Sequence, residues 1–322
     1  MTTIMVTRTL PRAVEEEIVA AFPQARLNPA DRPLDAAGLG AALREADGIL
    51  CTVSDRFTED VLAVHPRRAR ILANFGVGYN NIDVAAAKAA GLVVTNTPGV
   101  LTETTADLAM ALILAVARRI GEGERELRAG RWTGWRPTHM MGAEVHGRTL
   151  GIVGLGRIGR AVARRAHHGF GIRVLAATRS PLSPGEAAGA GVSGFVTLDE
   201  LLPAVDFLSL HCPATPDTRH LIDARRLGRM KESAFLINTA RGDVVDEHAL
   251  IEALRTGTIA GAGLDVYERE PDVPVELLRM DNVVLLPHLG SATTVAREAM
   301  GRRALANLRA FFEGHDPPDR VA

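Results

Sequence analysis

Three polar positions late in the chain have the side-chain types needed to move a hydride and a proton onto a carbonyl. Arg241 lies in Asn238-Thr239-Ala240-Arg241-Gly242, just after the apolar run from Ala234 to Ile237. Asp265 ends Gly263-Leu264-Asp265-Val266, with Glu268, Arg269 and Glu270 just beyond. His288 sits in Pro287-His288-Leu289-Gly290, after a Val-Val-Leu-Leu run. A carbonyl that accepts a hydride develops negative charge on oxygen and needs a proton, which histidine can donate near neutral pH. A carboxylate partner would fix the imidazole tautomer and favour its charged form. An arginine could clamp a substrate carboxylate and polarise the adjacent carbonyl. Each residue also has a plainer reading: Arg241 as a turn cap, Glu270 as a surface acid before Pro271, His288 as a satisfied turn histidine. Spacing alone leaves both readings open.

A second chemical signal is the glycine turn. Gly154, Gly156 and Gly159 stand in GxGxxG register, with Leu155, Arg157 and Ile158 between them. The apolar stretch Leu150 to Val153 precedes the turn and an amphipathic helical pattern follows it. Glycine lets the backbone approach a pyrophosphate, whose charge rests on the helix N-terminus. The motif alone is weak; the strand, turn and helix around it are its confirming context. A site for NAD would present an acid at the end of the next strand, to the ribose 2′-hydroxyl. Here Thr178, Arg179 and Ser180 stand in that place. A guanidinium flanked by hydroxyls attracts a 2′-phosphate that a carboxylate would repel. The expected cofactor is therefore NADP, with NAD possible. The plainer reading makes Arg179 a solvated turn residue.

These positions need strands to present them. Short apolar runs at Thr3 to Val6, Gly48 to Thr52, Ile71 to Asn74 and Val93 to Asn96 predict strands. Helical patterns are expected at Pro11 to Phe22 and Ile82 to Ala90. A long helix is expected from Thr104 to Ala129, followed by an aperiodic loop, Arg131 to Gly147, that holds Trp132 and Trp135. A second alternation begins at Thr149, with strands expected at Gly171 to Thr178, Phe195 to Val196, Phe207 to Leu210, Ala234 to Asn238, Ile259 to Asp265 and Val283 to Leu286. A helix from Ser291 to Glu313 closes the pattern. Strands alternating with helices predict α/β architecture with parallel sheets, in two domains. In such sheets ligands bind at the carboxyl ends of the strands.

Composition narrows the classes further. Of 322 residues, 47% are hydrophobic and 23% charged, an ordinary globular profile. The net charge is −1, from 37 basic and 38 acidic residues. That balance leaves no electrostatic footprint for nucleic acid or an anionic membrane. Lysine occurs only at Lys88 and Lys231, so the arginine excess reads as coding bias. Cys51 and Cys212 stand far apart without metal-ligand spacing; no metal site and no disulfide framework are expected, which fits a reducing cytoplasm. The N-terminus carries acids where a signal peptide has its apolar core, and the longest apolar stretch, Leu108 to Ala117, is too short for a membrane span. The expectation is a cytoplasmic protein.

Several long motifs, in order and at matching spacing, resemble the D-isomer-specific 2-hydroxyacid dehydrogenases. They are NFGVGYNNIDVAAAKAAGLVVTNTPGVLTETTADLAMALILA, the GLGRIG turn, NTARGDVVDEHALIEAL, GAGLDVYEREP and LLPHLGSAT, and the resemblance runs from about residue 45 to 313. Within that family the segment GRWTGWRPTHMMG and the Thr178-Arg179-Ser180 turn are most similar to glyoxylate/hydroxypyruvate reductases.

The resemblance implies two Rossmann-like, doubly wound parallel-sheet domains with a cleft between them, the first discontinuous. Residues 1–98 with 291–322 would form the substrate-binding (catalytic) domain and 99–290 the dinucleotide-binding domain. It implies catalytic roles for Arg241, Glu270 and His288, with Arg241 and the amides of Val77 and Gly78 on the substrate carboxylate. Cofactor contacts are implied at Gly154, Leu155, Gly156, Arg157, Ile158, Gly159, Thr178, Arg179, Ser180, Cys212, Pro213 and Thr218. Thr239, Ala240, Arg241, Asp265, His288, Gly290 and, more weakly, Thr105 complete that set. Val77-Gly78 and Cys212-Pro213 could also be plain turns, and Thr105 could merely pack a helix start. A homodimer is implied, with Trp132 and Trp135 either reaching the partner's substrate site or packing the interface; packing is the simpler reading. The expected activity is NADPH-dependent reduction of a small 2-oxo acid, glyoxylate or hydroxypyruvate, to the D-2-hydroxy acid. The alternative is an NAD-dependent phosphoglycerate or other D-2-hydroxyacid dehydrogenase, although the regulatory domain of many phosphoglycerate dehydrogenases is not expected here. Glu270, rather than glutamine, sets the chain apart from formate dehydrogenases. A non-catalytic dinucleotide sensor, as among the family's corepressors, would need a lost catalytic residue or added tails.

Overall fold

Alternating apolar runs become parallel strands in both halves of the chain. The computed structural model describes residues 1–322, in two units: residues 1–101 with 292–322, and residues 102–291. The first unit holds β1 (Ile4–Val6), β2 (Gly48–Thr52), β3 (Ile71–Phe75) and β4 (Val93–Thr95), paired in that order and all parallel. Every residue of β3 is buried, as expected of a parallel sheet covered on both faces. Ile49, Cys51 and Leu72 join Leu39 and Leu43 in one core cluster. The helix Thr294–Phe312 packs against β3 and against the helix Arg12–Ala21. The helix Ala36–Glu45, which carries Leu39 and Leu43, does not stand out in the sequence. Gly38 and Gly40 lower its propensity, and burial of its apolar face together with the Asp35 cap on the Gly38 N–H overrides them.

The second unit holds seven parallel strands: β5 (Thr149–Val153), β6 (Arg173–Ala177), β7 (Val192–Phe195), β8 (Phe207–Leu210), β9 (Phe235–Asn238), β10 (Gly261–Leu264) and β11 (Val283–Leu285). Their spatial order is β11-β10-β9-β8-β5-β6-β7. The chain therefore winds outward in both directions from the β5/β8 pair, and the loops after those two strands meet where the order reverses. In open α/β sheets that reversal is where ligands bind. Core clusters cover both faces, one including Val153, Leu175 and Leu208, the other Ile152, Val174 and Phe207.

The expected long helix is broken. One helix runs Thr102–Ala117 and another Ile120–Arg128, with Arg119 left-handed between them at φ 52°. The returning chain is the cause. The Ala143 N–H bonds the Ala117 carbonyl at 2.8 Å, taking an acceptor that a continuous helix would use itself. Strand β7 begins at Val192 rather than Phe195, because pairing with β6 recruits residues that lack a strong apolar pattern. No helix is long and apolar enough to cross a membrane.

Candidate active site

The turn after β11 presents His288. Its backbone is left-handed, with φ 55°, a conformation that costs a non-glycine residue on the order of 1–2 kcal/mol. Asp265, at the end of β10, holds that turn from below. The His288 N–H donates to the Asp265 carbonyl at 3.0 Å. The Leu289 and Gly290 N–H groups donate to the Asp265 carboxylate at 2.6 and 2.8 Å. Burial pushes the Asp265 carboxyl up, against these bonds and the charge of His288. The Thr105 hydroxyl donates to the Gly290 carbonyl at 2.8 Å and closes the turn from the other side.

The imidazole is oriented by Glu270, whose Oε2 lies 2.7 Å from His288 Nδ1. The Tyr267 N–H donates to Glu270 Oε1 at 3.1 Å, and the Tyr267 hydroxyl donates to the Leu286 carbonyl at 3.0 Å. Burial pushes the Glu270 carboxyl up. The bond to His288, the His288 charge, the Tyr267 N–H and the Arg241 charge together outweigh it and hold Glu270 below its ordinary value. Glu270 is thus an acceptor for Nδ1–H, and Nε2 takes no part in that pair. Burial pushes the Tyr267 phenol up to about 12, so it stays protonated.

Arg241 reaches the same neighbourhood from the end of β9. Asn238 builds the loop: its side-chain oxygen accepts the Ala240 N–H at 3.0 Å and its amide donates to the Arg241 carbonyl at 2.9 Å. The half-buried guanidinium is pushed down by burial and up by the charge of Glu270. The Arg, the acid and the His singled out in the sequence therefore come together, at the carboxyl ends of adjacent strands.

The glycine turn fits a dinucleotide. Gly154 has φ 90°, and a Cβ there would lie 2.7 Å from the Cys212 nitrogen. A Cβ at Gly159 would lie 2.3 Å from the Gly154 carbonyl oxygen. Gly156 is exposed, and the helix Arg157–Phe170 that it begins has no side-chain cap. Its first N–H groups are left for an anion such as pyrophosphate. Leu155 is buried under the turn. Across the sheet reversal, the Thr218 hydroxyl donates to the Pro213 carbonyl at 2.6 Å and folds the loop after β8. Burial pushes the Cys212 thiol up to about 11 and holds His211 down at about 4, so both are neutral. Thr178, Arg179 and Ser180 follow β6 directly; Arg179 is exposed, and its charge favours the Cys212 thiolate. Thr239 is buried beside Ala240.

In the first unit, Val77 and Gly78 lie in the loop after β3, half-buried. Tyr267 and the asparagines around that loop were not singled out by the sequence, because hydrogen bonds to backbone atoms leave no spacing signature. The side-chain pair between His220 and Glu268, 48 residues apart in sequence, was not singled out either; it joins the loop after β8 to the segment carrying Glu270.

Residues 110–290 match the family model described as D-isomer specific 2-hydroxyacid dehydrogenase, NAD binding domain. A glyoxylate reductase of Thermococcus litoralis is 48% identical over 285 residues, covering 87% of this chain and 84% of the relative. One from Thermococcus kodakarensis is 45% identical over 322 residues, 99% of this chain and 95% of the relative. An NADPH-dependent glyoxylate/hydroxypyruvate reductase of Sinorhizobium meliloti, solved with NADP and malonate, superimposes with a TM-score of 0.87 at 40% identity, over 100% of this chain and 97% of that one. With its strand order, its glycine cradle and these relatives in agreement, the chain belongs to the D-isomer-specific 2-hydroxyacid dehydrogenases, nicotinamide-dependent oxidoreductases.

Proposed function

We propose that this enzyme reduces a small 2-oxo acid, glyoxylate or hydroxypyruvate, to the 2-hydroxy acid with NADPH. The observation that carries the reaction is the 2.7 Å pairing of His288 Nδ1 with Glu270, which leaves Nε2 to act on substrate. Arg241 and the Val77 and Gly78 amides bind the substrate carboxylate. Bound nicotinamide nucleotide supplies the hydride that adds to the carbonyl carbon. His288 gives its Nε2 proton to the carbonyl oxygen, and Glu270 stabilises the imidazolium before that transfer. Asp265 keeps the His288 turn in place. The relatives named above support the substrate class.

NADPH is assigned on the turn after β6. No acid stands at position 178, and Arg179 beside it is exposed. The residues that would hold the dinucleotide are Gly154 to Gly159, Thr178 to Ser180, Cys212, Pro213, Thr218, Thr239, Ala240, Arg241, His288, Gly290 and Thr105, with Asp265 near the nicotinamide. The domain roles follow: residues 1–98 with 291–322 for substrate, 99–290 for dinucleotide.

A homodimer is part of this reading. Ile120, Leu127, Trp132, Trp135 and Met141 are exposed along one stretch, Trp135 at 83%, and the helix Ile120–Arg128 buries no residue. A second copy would cover that apolar surface. Two buried free cysteines suit a cytoplasmic setting. A panel of 2-oxo acids assayed with NADPH and with NADH tests the activity, and equilibrium sedimentation tests the dimer. Turnover confined to other 2-oxo acids, or to NADH, would overturn the substrate or the cofactor assignment respectively.

A further inference from the structure

The loop after β3 has its three carbonyls turned into the protein. The Gly76 oxygen accepts the Thr97 N–H at 3.0 Å and the Asn74 amide at 3.4 Å. The Val77 oxygen accepts the Asn96 amide at 2.8 Å. The Gly78 oxygen accepts the Asn74 amide at 3.0 Å. In a trans peptide the C=O of one residue and the N–H of the next point in opposite directions. Holding the Gly76 and Val77 oxygens inward therefore turns the Val77 and Gly78 N–H groups outward, and neither donates to an acceptor in the protein.

Asn74 can act only one way round. It is fully buried at the end of β3. Its side-chain oxygen accepts the Asn81 amide at 3.2 Å, and that amide also donates to the carbonyls of Thr52 and Asp55, both at 3.1 Å. Two carbonyl acceptors identify the Asn81 group as the donor, so Asn74 must face it with oxygen and present its own NH2 to the loop. The fit is close. A Cβ at Gly76 would lie 3.4 Å from both the Asn74 amide nitrogen and the Gly78 oxygen, and 2.8 Å from Val53.

We propose that Asn74 and Asn96 are positioning residues for the substrate carboxylate: their amides pin the loop carbonyls and thereby aim the Val77 and Gly78 N–H groups at the anion. This rests on the assignment of those two amides to the carboxylate, and it adds the residues that make them donors. Asn81 acts one step further back, by fixing the orientation of Asn74.

The test uses neutral substitutions of similar size, so that no new charge repels the anion. Asn74→Leu and Asn96→Leu are compared with wild type for the KM of glyoxylate, the inhibition constant of oxamate, the Kd of NADPH and thermal stability. The expected result is a tenfold or larger rise in both the glyoxylate KM and the oxamate constant. The Kd of NADPH should stay within twofold and kcat should fall less than KM rises. Folded variants that lose thermal stability while keeping both carboxylate constants would overturn the proposal, since that is the signature of a purely structural network. If Asn74→Leu does not fold, Asn96→Leu is judged by the same criteria, because its side chain meets the loop at Val77 alone. A wild type that reduces no 2-oxo acid overturns the assigned activity and this inference with it. A wild type that reduces glyoxylate, with variants unchanged in KM, overturns the inference alone.

Discussion

Asp265 and His288 are tied through the backbone: the His288 N–H donates to the Asp265 carbonyl at 3.0 Å, while the Asp265 carboxylate takes the next two N–H groups of the same turn. The left-handed conformation of His288 is thus held by a neighbouring strand rather than by its own sequence. Asp265→Asn replaces one acceptor oxygen by a donor and leaves the Leu289 or Gly290 N–H without a partner. Stability should fall by about 1–3 kcal/mol, the cost of an unpaired buried donor, and kcat by roughly 10- to 100-fold as the imidazole loses its position. Thermal melts and steady-state kinetics on the same preparation check both.

His288→Gln keeps bulk and hydrogen bonding but removes the acid. The expected drop in kcat is about 10²-fold or more, with NADPH affinity retained. Near-normal turnover of glyoxylate in this variant would sink the assignment of His288 as proton donor.

Arg241→Lys keeps the positive charge and loses the planar fork. We expect a higher KM for the 2-oxo acid and a loss of roughly 1.5–3 kcal/mol in kcat/KM. Unchanged kinetics on glyoxylate would show that the carboxylate is bound elsewhere.

For the cofactor, wild type should bind NADPH more tightly than NADH by roughly 10- to 100-fold, the equivalent of one charge-assisted pair of about 1.5–3 kcal/mol. Thr178→Asp with Arg179→Ala should invert that order, because it adds repulsion and removes attraction together. The preference should also shrink as salt rises, since Arg179 is exposed. Fluorescence titration with both nucleotides at two ionic strengths measures all of this; equal affinities in wild type would retire the NADP assignment and leave the hydride chemistry standing.

Glu270 makes stability depend on pH in a definite direction. Burial raises its carboxyl, but the His288 bond and charge, the Tyr267 N–H and Arg241 bring it below the ordinary 4.5. A carboxylate depressed on folding stabilises fully above its unfolded value and loses that contribution as pH falls through its folded value. The difference in melting temperature between wild type and Glu270→Gln should therefore be largest above about pH 4.5 and shrink below it. A difference that grows on acidification contradicts the depressed carboxyl.

The strand-helix alternation was legible because its cause is local, and Arg241, Asp265 and His288 could be picked out as polar residues following apolar runs. Parallel strands buried on both faces read as short apolar runs, and ligands meet such strands at their carboxyl ends. The GxGxxG turn was legible for a similar reason: a positive φ at Gly154 and the close approach at Gly159 admit no side chain. Tertiary structure decided what depends on distant partners. The helix pattern through Arg119 is continuous in sequence, yet Ala143 takes the Ala117 carbonyl and divides it. Gly38 and Gly40 argue against a helix that burial of Leu39 and Leu43 enforces. Above all, Val77 and Gly78 came only from the resemblance to the family, and Asp265 only as an acid at the end of an expected strand. The Leu289 and Gly290 N–H groups bond the Asp265 carboxylate, and the Asn74 and Asn96 amides bond the carbonyls of Gly76, Gly78 and Val77; such side-chain to backbone bonds leave no period in the sequence to read.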